Sequence, residues 1–163
     1  MAEAPQQQFG IQRLYVKDLS WEAPSTPTVF SKEWKPELNL DIGTKSDDVG
    51  DDNFEVVLML TATVKSNDEV AFIAEIKQGG IFSIKGIEGE QLEHTLGAYC
   101  PSLLYPYARE AITSLVTRGG FPQLILAPIN FEALYQQQLK ARAEKAEGKK
   151  GKSGGDKAAG GKG

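Results

Sequence analysis

Apolar residues change their spacing once along this chain, and the change restricts the fold to strands first and helices after. Between Phe9 and Lys77 they recur mostly at alternate positions, the repeat that puts one side of a strand on a core. Phe9 to Trp21 reads as a long strand, with Ile11, Tyr15, Leu19 and Trp21 on one parity and Asp18, Ser20 and Glu22 on the other. The tract EAPSTPTVF, with two prolines, breaks it. Trp34 to Ile42 alternates again: Leu38, Leu40 and Ile42 against Glu37, Asn39 and Asp41. Phe54–Ser66 and Val70–Lys77 flank Asn67-Asp68-Glu69 and predict an antiparallel hairpin. In its second arm Phe72, Ala74 and Ile76 oppose Ile73, Glu75 and Lys77. Both faces of that arm carry apolar residues, so both should be engaged.

After Gly79-Gly80 the repeat lengthens. The run IFSIKGIEGEQLEHTL passes Gly86 and Gly89 into a short helical turn. From Gly97 to Tyr135 the spacing describes a long helix, a reversing loop and the start of a second helix. Leu104, Ala108, Ala111, Ile112 and Leu115 share one helical face. Cys100 and Ser102 stand near its start, with Pro101 suited to a first turn. Arg118 faces the negative end of its dipole, and Gly119-Gly120 close it. The loop FPQLILAPIN is apolar, so it must lie against protein or ligand. Asn130 caps the last helix, whose apolar stripe is Phe131, Leu134, Tyr135 and Leu139. Four strands followed by helices make an antiparallel α+β domain.

Charge divides the chain unevenly. Residues 1–140 carry 11 basic and 19 acidic side chains, and residues 141–163 carry 7 and 3. An acidic body disfavours nucleic acid, whose phosphates need clustered Lys and Arg, and favours a basic protein partner. A single cysteine allows no intrachain disulfide, which fits a reducing compartment. The start MAEAPQQQ has no basic region followed by an apolar one, and no apolar run is long enough to cross a bilayer. The expectation is a cytoplasmic protein. Its regions are a flexible N-terminus at 1–8, a folded domain at 9–142 and a disordered Lys/Gly-rich tail at 143–163.

Reactive constellations are missing from the sequence. The segment Gly43–Asn53 holds Asp47, Asp48, Asp51 and Asp52, but its spacing does not fit a twelve-residue calcium loop, so a solvated acidic loop is expected. His94 with Glu90 one turn earlier falls short of the three or four ligands zinc wants. It reads as an ordinary histidine on a polar helical face. Cys100 lies in the apolar context AYCP, which raises a thiol's pKa, so burial is expected rather than nucleophilicity. No Gly-Lys-Ser/Thr follows a strand. The reading is a protein that is not an enzyme and uses no metal or cofactor. What stands out is a surplus of apolar faces, more than two short helices can cover, which an oligomer interface or a binding site must absorb.

The runs FGIQRLYVKDLSWEAP and QGGIFSIKGIEGEQLEHTLGAYCPSLLYPYAREAITSLVTRGGFPQLILAPINFEALY resemble the SecB family of protein-export chaperones. The resemblance covers about residues 9–139. It implies a four-stranded antiparallel Greek-key sheet with helices on one face, assembled as a dimer of dimers. It also implies an ATP-independent holdase that binds unfolded precursor proteins and delivers them to the SecA motor for the Sec translocation channel.

By the same resemblance, SecA docks on Asp18 and Glu22 of the first strand and on Ile73 and Glu75 of the fourth. Ala74, Ile76 and Gln78, on the other face of that fourth strand, would join dimers into a homotetramer. The unfolded-client groove would use Leu38, Leu40 and Ile42 with Tyr135 and Leu139, and strand parity adds Trp34. The Lys/Gly-rich tail matches no pattern of the family. A holdase outside export would share the groove but have no need of Asp18, Glu22 and Glu75.

Overall fold

A computed structural model describes residues 6–153. The chain forms strands β1 (Gln8–Glu22), β2 (Pro36–Gly50), β3 (Asn53–Ser66) and β4 (Glu69–Lys85), then helices α1 (Gly89–His94), α2 (Cys100–Arg118) and α3 (Phe131–Ser153). The strands make one antiparallel sheet in the order β1-β4-β3-β2. Two tight hairpins join β2, β3 and β4, and β1 reaches its place beside β4 through the long connection to β2, the Greek-key arrangement. The expected α+β class and topology are thus those of the molecule.

Two strands, β2 and β4, run longer than the residue pattern predicts, each for a physical reason. The acidic segment after Ile42 belongs to β2, and only Asp51-Asp52 make the turn, both at positive φ. A charged row is what an edge strand carries to discourage further pairing. Asn67-Asp68 turn the next hairpin in the same conformation. β4 continues through Gly79-Gly80 because these glycines serve space and not a turn. A Cβ on Gly79 would run into the Tyr15 ring, and one on Gly80 would meet Phe82 and Leu104.

β1 departs from simple alternation. Its pairing with β4 shifts between Ile11 and Arg13 and again between Val16 and Asp18. Each bulge resets parity, so Ile11, Leu14, Val16, Leu19 and Trp21 share the helix-side face through their opposites Phe82, Gly80, Gln78, Ile76 and Ala74. Tyr15, expected with Ile11 and Leu19, lies on the other side opposite Gly79.

The helix-side residues of β3 and β4 form the core with α2: Leu58, Leu60, Phe72, Ile76, Phe82, Leu104, Ile112 and Val116 are fully buried. Trp21 stacks on Phe72, and Phe121 packs on Trp21, Phe30, Trp34 and Phe72. Gly119 leaves room for the Trp21 ring, and Gly120 takes the left-handed conformation that ends α2.

The helical backbone starts earlier than Cys100. α1 leads through a wide π turn at Thr95–Tyr99 directly into α2. Pro101 has no N–H to give an α-helical bond, and the wide turn sits immediately before it. Beyond Arg142, α3 stays helical to Ser153, consistent with the helix-forming Ala, Glu and Lys of residues 140–147. Its side chains from Gln136 to Lys150 are exposed, so this stretch adds nothing to the core. Residues 1–5 and 154–163, parts of the expected flexible ends, lie outside the described residues.

The close fit at Gly79 predicts that Gly79→Ala overpacks β1 against β4. Urea unfolding should show a loss of about 1–3 kcal/mol. An unchanged midpoint would show that Tyr15 is not seated there.

Candidate functional site

A groove runs along the outer edge of the helix-side face, where β2 lies beside the reversing loop and α3. Leu38, Leu40 and Ile42 pair with Val64, Ala62 and Leu60, which puts all three on that face. α2 covers β3 and β4. Leu38 is therefore 45% exposed, and Leu40 and Ile42 are half-buried. At one end Trp34, Leu38, Val64, Phe72, Pro122 and Leu124 line a mostly apolar cavity of about 180 Å³. Trp34 precedes β2 and packs on Phe121 beside this cavity, with ring centroids 5.5 Å apart.

The reversing loop is held in place as the cavity's roof. Thr113 Oγ1 donates to the Leu124 carbonyl at 2.9 Å, and the Tyr105 hydroxyl donates to the Ala127 carbonyl. The apolar loop thus does lie against protein, with Phe121 and Leu126 buried. At the far end of β2, Tyr135 and Leu139 of α3 face Thr44 and Ser46 across a cavity of about 360 Å³. This end is more polar, with Lys45, Glu93, Gln138 and Arg142 in its walls. Of the six predicted groove residues, Trp34 and Leu38 line the apolar cavity and Tyr135 and Leu139 the more polar one, with Leu40 and Ile42 half-buried on the strand between them.

The opposite, open face of the sheet gathers the four residues expected to dock a partner. Glu22 pairs with Ile73, Ser20 with Glu75 and Asp18 with Lys77, so Asp18, Glu22, Ile73 and Glu75 form one patch across β1 and β4. Lys77 lies on the same face opposite Asp18, where the alternation of this strand put it. Helix-side Ala74, Ile76 and Gln78 are buried within the single chain, and Gln78 Nε2 donates to the Tyr15 carbonyl at 3.1 Å. None of the three offers surface of its own. Their register neighbours on β1 do: Val16 is 53% exposed and Leu19 43%, with Ile11 at 48% further along. Simple alternation missed Val16 because the bulges move it to this face.

Beside the acidic patch, Tyr15 crosses over Gly79 to donate its hydroxyl to Glu55, which Lys17 also meets at 2.7 Å. Burial first, then the Glu55 carboxylate, pushes the tyrosine up to about 12. Hydrogen bonds from Lys17 and Tyr15 hold Glu55 below the usual carboxylate range. Cys100 is buried, and burial pushes its thiol up to about 12, as its apolar context implied. His94 is not an idle surface histidine: its Nε2 pairs with Glu132 and its ring meets Tyr135 edge-on. Among the described residues, no group of three His, Cys, Asp or Glu is placed to hold a metal, and no helix is long and apolar enough to cross a membrane.

Uncovered apolar surface beside a free strand edge, with an acidic patch on the other side of the sheet, suits a protein that binds polypeptides. The family described as preprotein translocase subunit SecB matches residues 2–142. The chain is 56% identical over 143 residues to the protein-export protein SecB of Marinobacter nauticus, covering 88% of this chain and 87% of that one. It is 58% identical over 139 residues to that of Stutzerimonas stutzeri, covering 85% and 84%. Its fold is similar to a SecB-like chaperone of Mycobacterium tuberculosis solved with a ChAD peptide from the HigA1 antitoxin. There the TM-score is 0.62 at 16% identity, over 74% of this chain and 90% of that one. The chain belongs to the SecB family and is a protein-export chaperone.

The Glu55 cluster carries a pH signature. A carboxylate held below its unfolded value stabilises the fold above that unfolded value, and the contribution disappears as pH falls through the folded one. Glu55→Gln should lower the melting temperature at pH 7, and the gap to the wild type should close on acidification through the carboxylate range. A gap independent of pH would show that the charge of Glu55 is irrelevant.

Proposed function

We propose that this protein is an ATP-independent cytoplasmic holdase that keeps precursor proteins unfolded in the β2–α3 groove and passes them to the SecA motor at the Asp18–Glu75 face. The observation that carries the reading is the separation of the two surfaces. Apolar residues are left uncovered on one side of the sheet, and carboxylates gather on the other.

Apolar burial is non-directional, so a groove floored by Leu38, Leu40 and Ile42 accepts many sequences, while folded clients have already hidden the residues it takes. β2 is an edge strand, and its free backbone groups can pair with an extended client without selecting side chains. Binding the unfolded state alone shifts a client away from folding by mass action, and no nucleotide is required.

For the motor, Asp18, Glu22 and Glu75 offer charge-assisted contacts to a basic surface, and Ile73 offers a small apolar anchor among them. Because successive residues of a strand point to opposite faces, β4 serves this patch with Ile73 and Glu75 while Ala74, Ile76 and Gln78 serve the helix side. The exposed row Ile11, Val16 and Leu19 supports a second copy packing on β1, within a dimer of dimers. In that assembly Ala74, Ile76 and Gln78 act from the neighbouring strand, as the register partners of Trp21, Leu19 and Val16.

Refolding of a chemically denatured precursor, followed without nucleotide, tests both surfaces. Near-stoichiometric protein should block refolding. Leu38→Asp should weaken the block about tenfold or more, as burying an unpaired charge does. The double change Asp18→Lys, Glu75→Lys should leave holding intact and abolish SecA binding. Refolding that proceeds unhindered by the wild-type protein would refute the holdase.

A further inference from the structure

Gly97 is in the wide turn Thr95–Tyr99 at a backbone conformation that any residue adopts, so its lack of a side chain is not a backbone requirement. A helical glycine costs about 1 kcal/mol relative to alanine. Its use here is spatial. A Cβ on Gly97 would stand 2.7 Å from both Cδ2 and Cε2 of Tyr135, well inside contact distance. The Tyr135 ring is therefore seated directly on the Gly97 backbone.

A second group holds the same ring. His94, one turn earlier, meets Tyr135 edge-on with centroids 5.4 Å apart and planes at 78°. Its Nε2 pairs with Glu132 in the first turn of α3, and Glu132 also accepts from Gln136 Nε2 at 3.2 Å. Asn130 Oδ1 accepts from the Ala133 N–H and fixes where α3 begins. After that first stretch α3 packs chiefly on the Thr95–Tyr99 turn and then leaves the body. Phe131, buried against Tyr105, anchors the start of α3, and the Tyr135 ring on Gly97, flanked by the histidine–glutamate pair, fixes the next turn, where the helix becomes the far wall of the cavity.

We infer that Gly97 and His94 are positioning residues for the client groove: they seat Tyr135 so that Tyr135 and Leu139 face β2 at a fixed distance. The inference rests on the groove being the client site. Gly97 contributes most, because the Tyr135 ring rests directly on its backbone. The His94–Glu132 pair is about half exposed, and such pairs contribute little on their own.

The test uses the opposed effects of one substitution. Gly97→Ala improves helix propensity yet removes the seat of Tyr135, so the melting temperature should hold or rise while client binding weakens. With a permanently unfolded, reduced and carboxymethylated albumin as the probe, Kd should rise about two- to tenfold, the effect of losing one well-placed aromatic contact. In a Tyr135→Ala background the same substitution should change nothing further. Amide exchange of residues 131–142 in the client-free protein should quicken in Gly97→Ala and, less, in His94→Ala.

Unchanged affinity and unchanged exchange in Gly97→Ala would overturn the inference. So would a fall in affinity that persists in full when Tyr135 is already absent. If the wild type fails to bind the probe at all, the chaperone reading falls, and the exchange of 131–142 still decides whether Gly97 seats α3.

Discussion

A helix with its side chains is about 10 Å across, and four strands spaced about 4.8 Å apart present a wider face than that. This mismatch governs the molecule. Helix α2 lies over β3 and β4 and, with the core around it, buries their helix-side residues. It leaves the apolar residues of both outer strands uncovered. On β2 the remainder is Leu38, Leu40 and Ile42, roofed only in part by the reversing loop and by the start of α3. On β1 the remainder is Ile11, Val16 and Leu19, with no part of the described chain covering them fully. A sheet in excess of its helices is unfavourable for a solitary soluble protein, and useful for one that binds other chains and its own copies.

The same sheet divides two kinds of recognition by alternation alone. Helix-side residues are apolar and non-directional, suited to unfolded polypeptide of any sequence. The open face is polar, and there Asp18, Glu22 and Glu75 are aligned by the β1–β4 register around Ile73. Contacts of that kind steer association and discriminate between partners more than they add affinity. In the proposed function a client and a basic partner are held at once on opposite sides of a single layer. The cluster of Tyr15, Glu55 and Lys17 beside the acidic face ties β1 to β3 across Gly79, so the strand that carries Asp18 is anchored at its middle.

Much of this was legible in the residues. The switch from alternate to helical spacing identified the layers, Asn130 marked the cap of α3, and the AYCP context anticipated the buried Cys100. The surplus of apolar faces pointed to an oligomer interface or a binding site. Leu38–Ile42 and Tyr135–Leu139 were readable as two apolar stripes that could flank a groove, and resemblance to SecB implied that the groove holds clients. What escaped was whatever depends on contact between distant residues. The two bulges of β1 moved Tyr15 and Val16 to faces their parity does not predict. Gly79, Gly80 and Gly97 look like punctuation in a sequence, yet each is shaped by an aromatic or leucine side chain packed against it. His94 looked idle because its partners lie about forty residues away on α3.

Hydrogen exchange of the free and client-loaded protein measures the division between the two faces most directly. An unfolded precursor should slow exchange in the backbone of residues 38–42 and in residues 131–139, and leave residues 18–22 of the outer strand unchanged. Slowing confined to residues 18–22, with the β2 edge and α3 unaffected, would place the client on the acidic face and contradict the account.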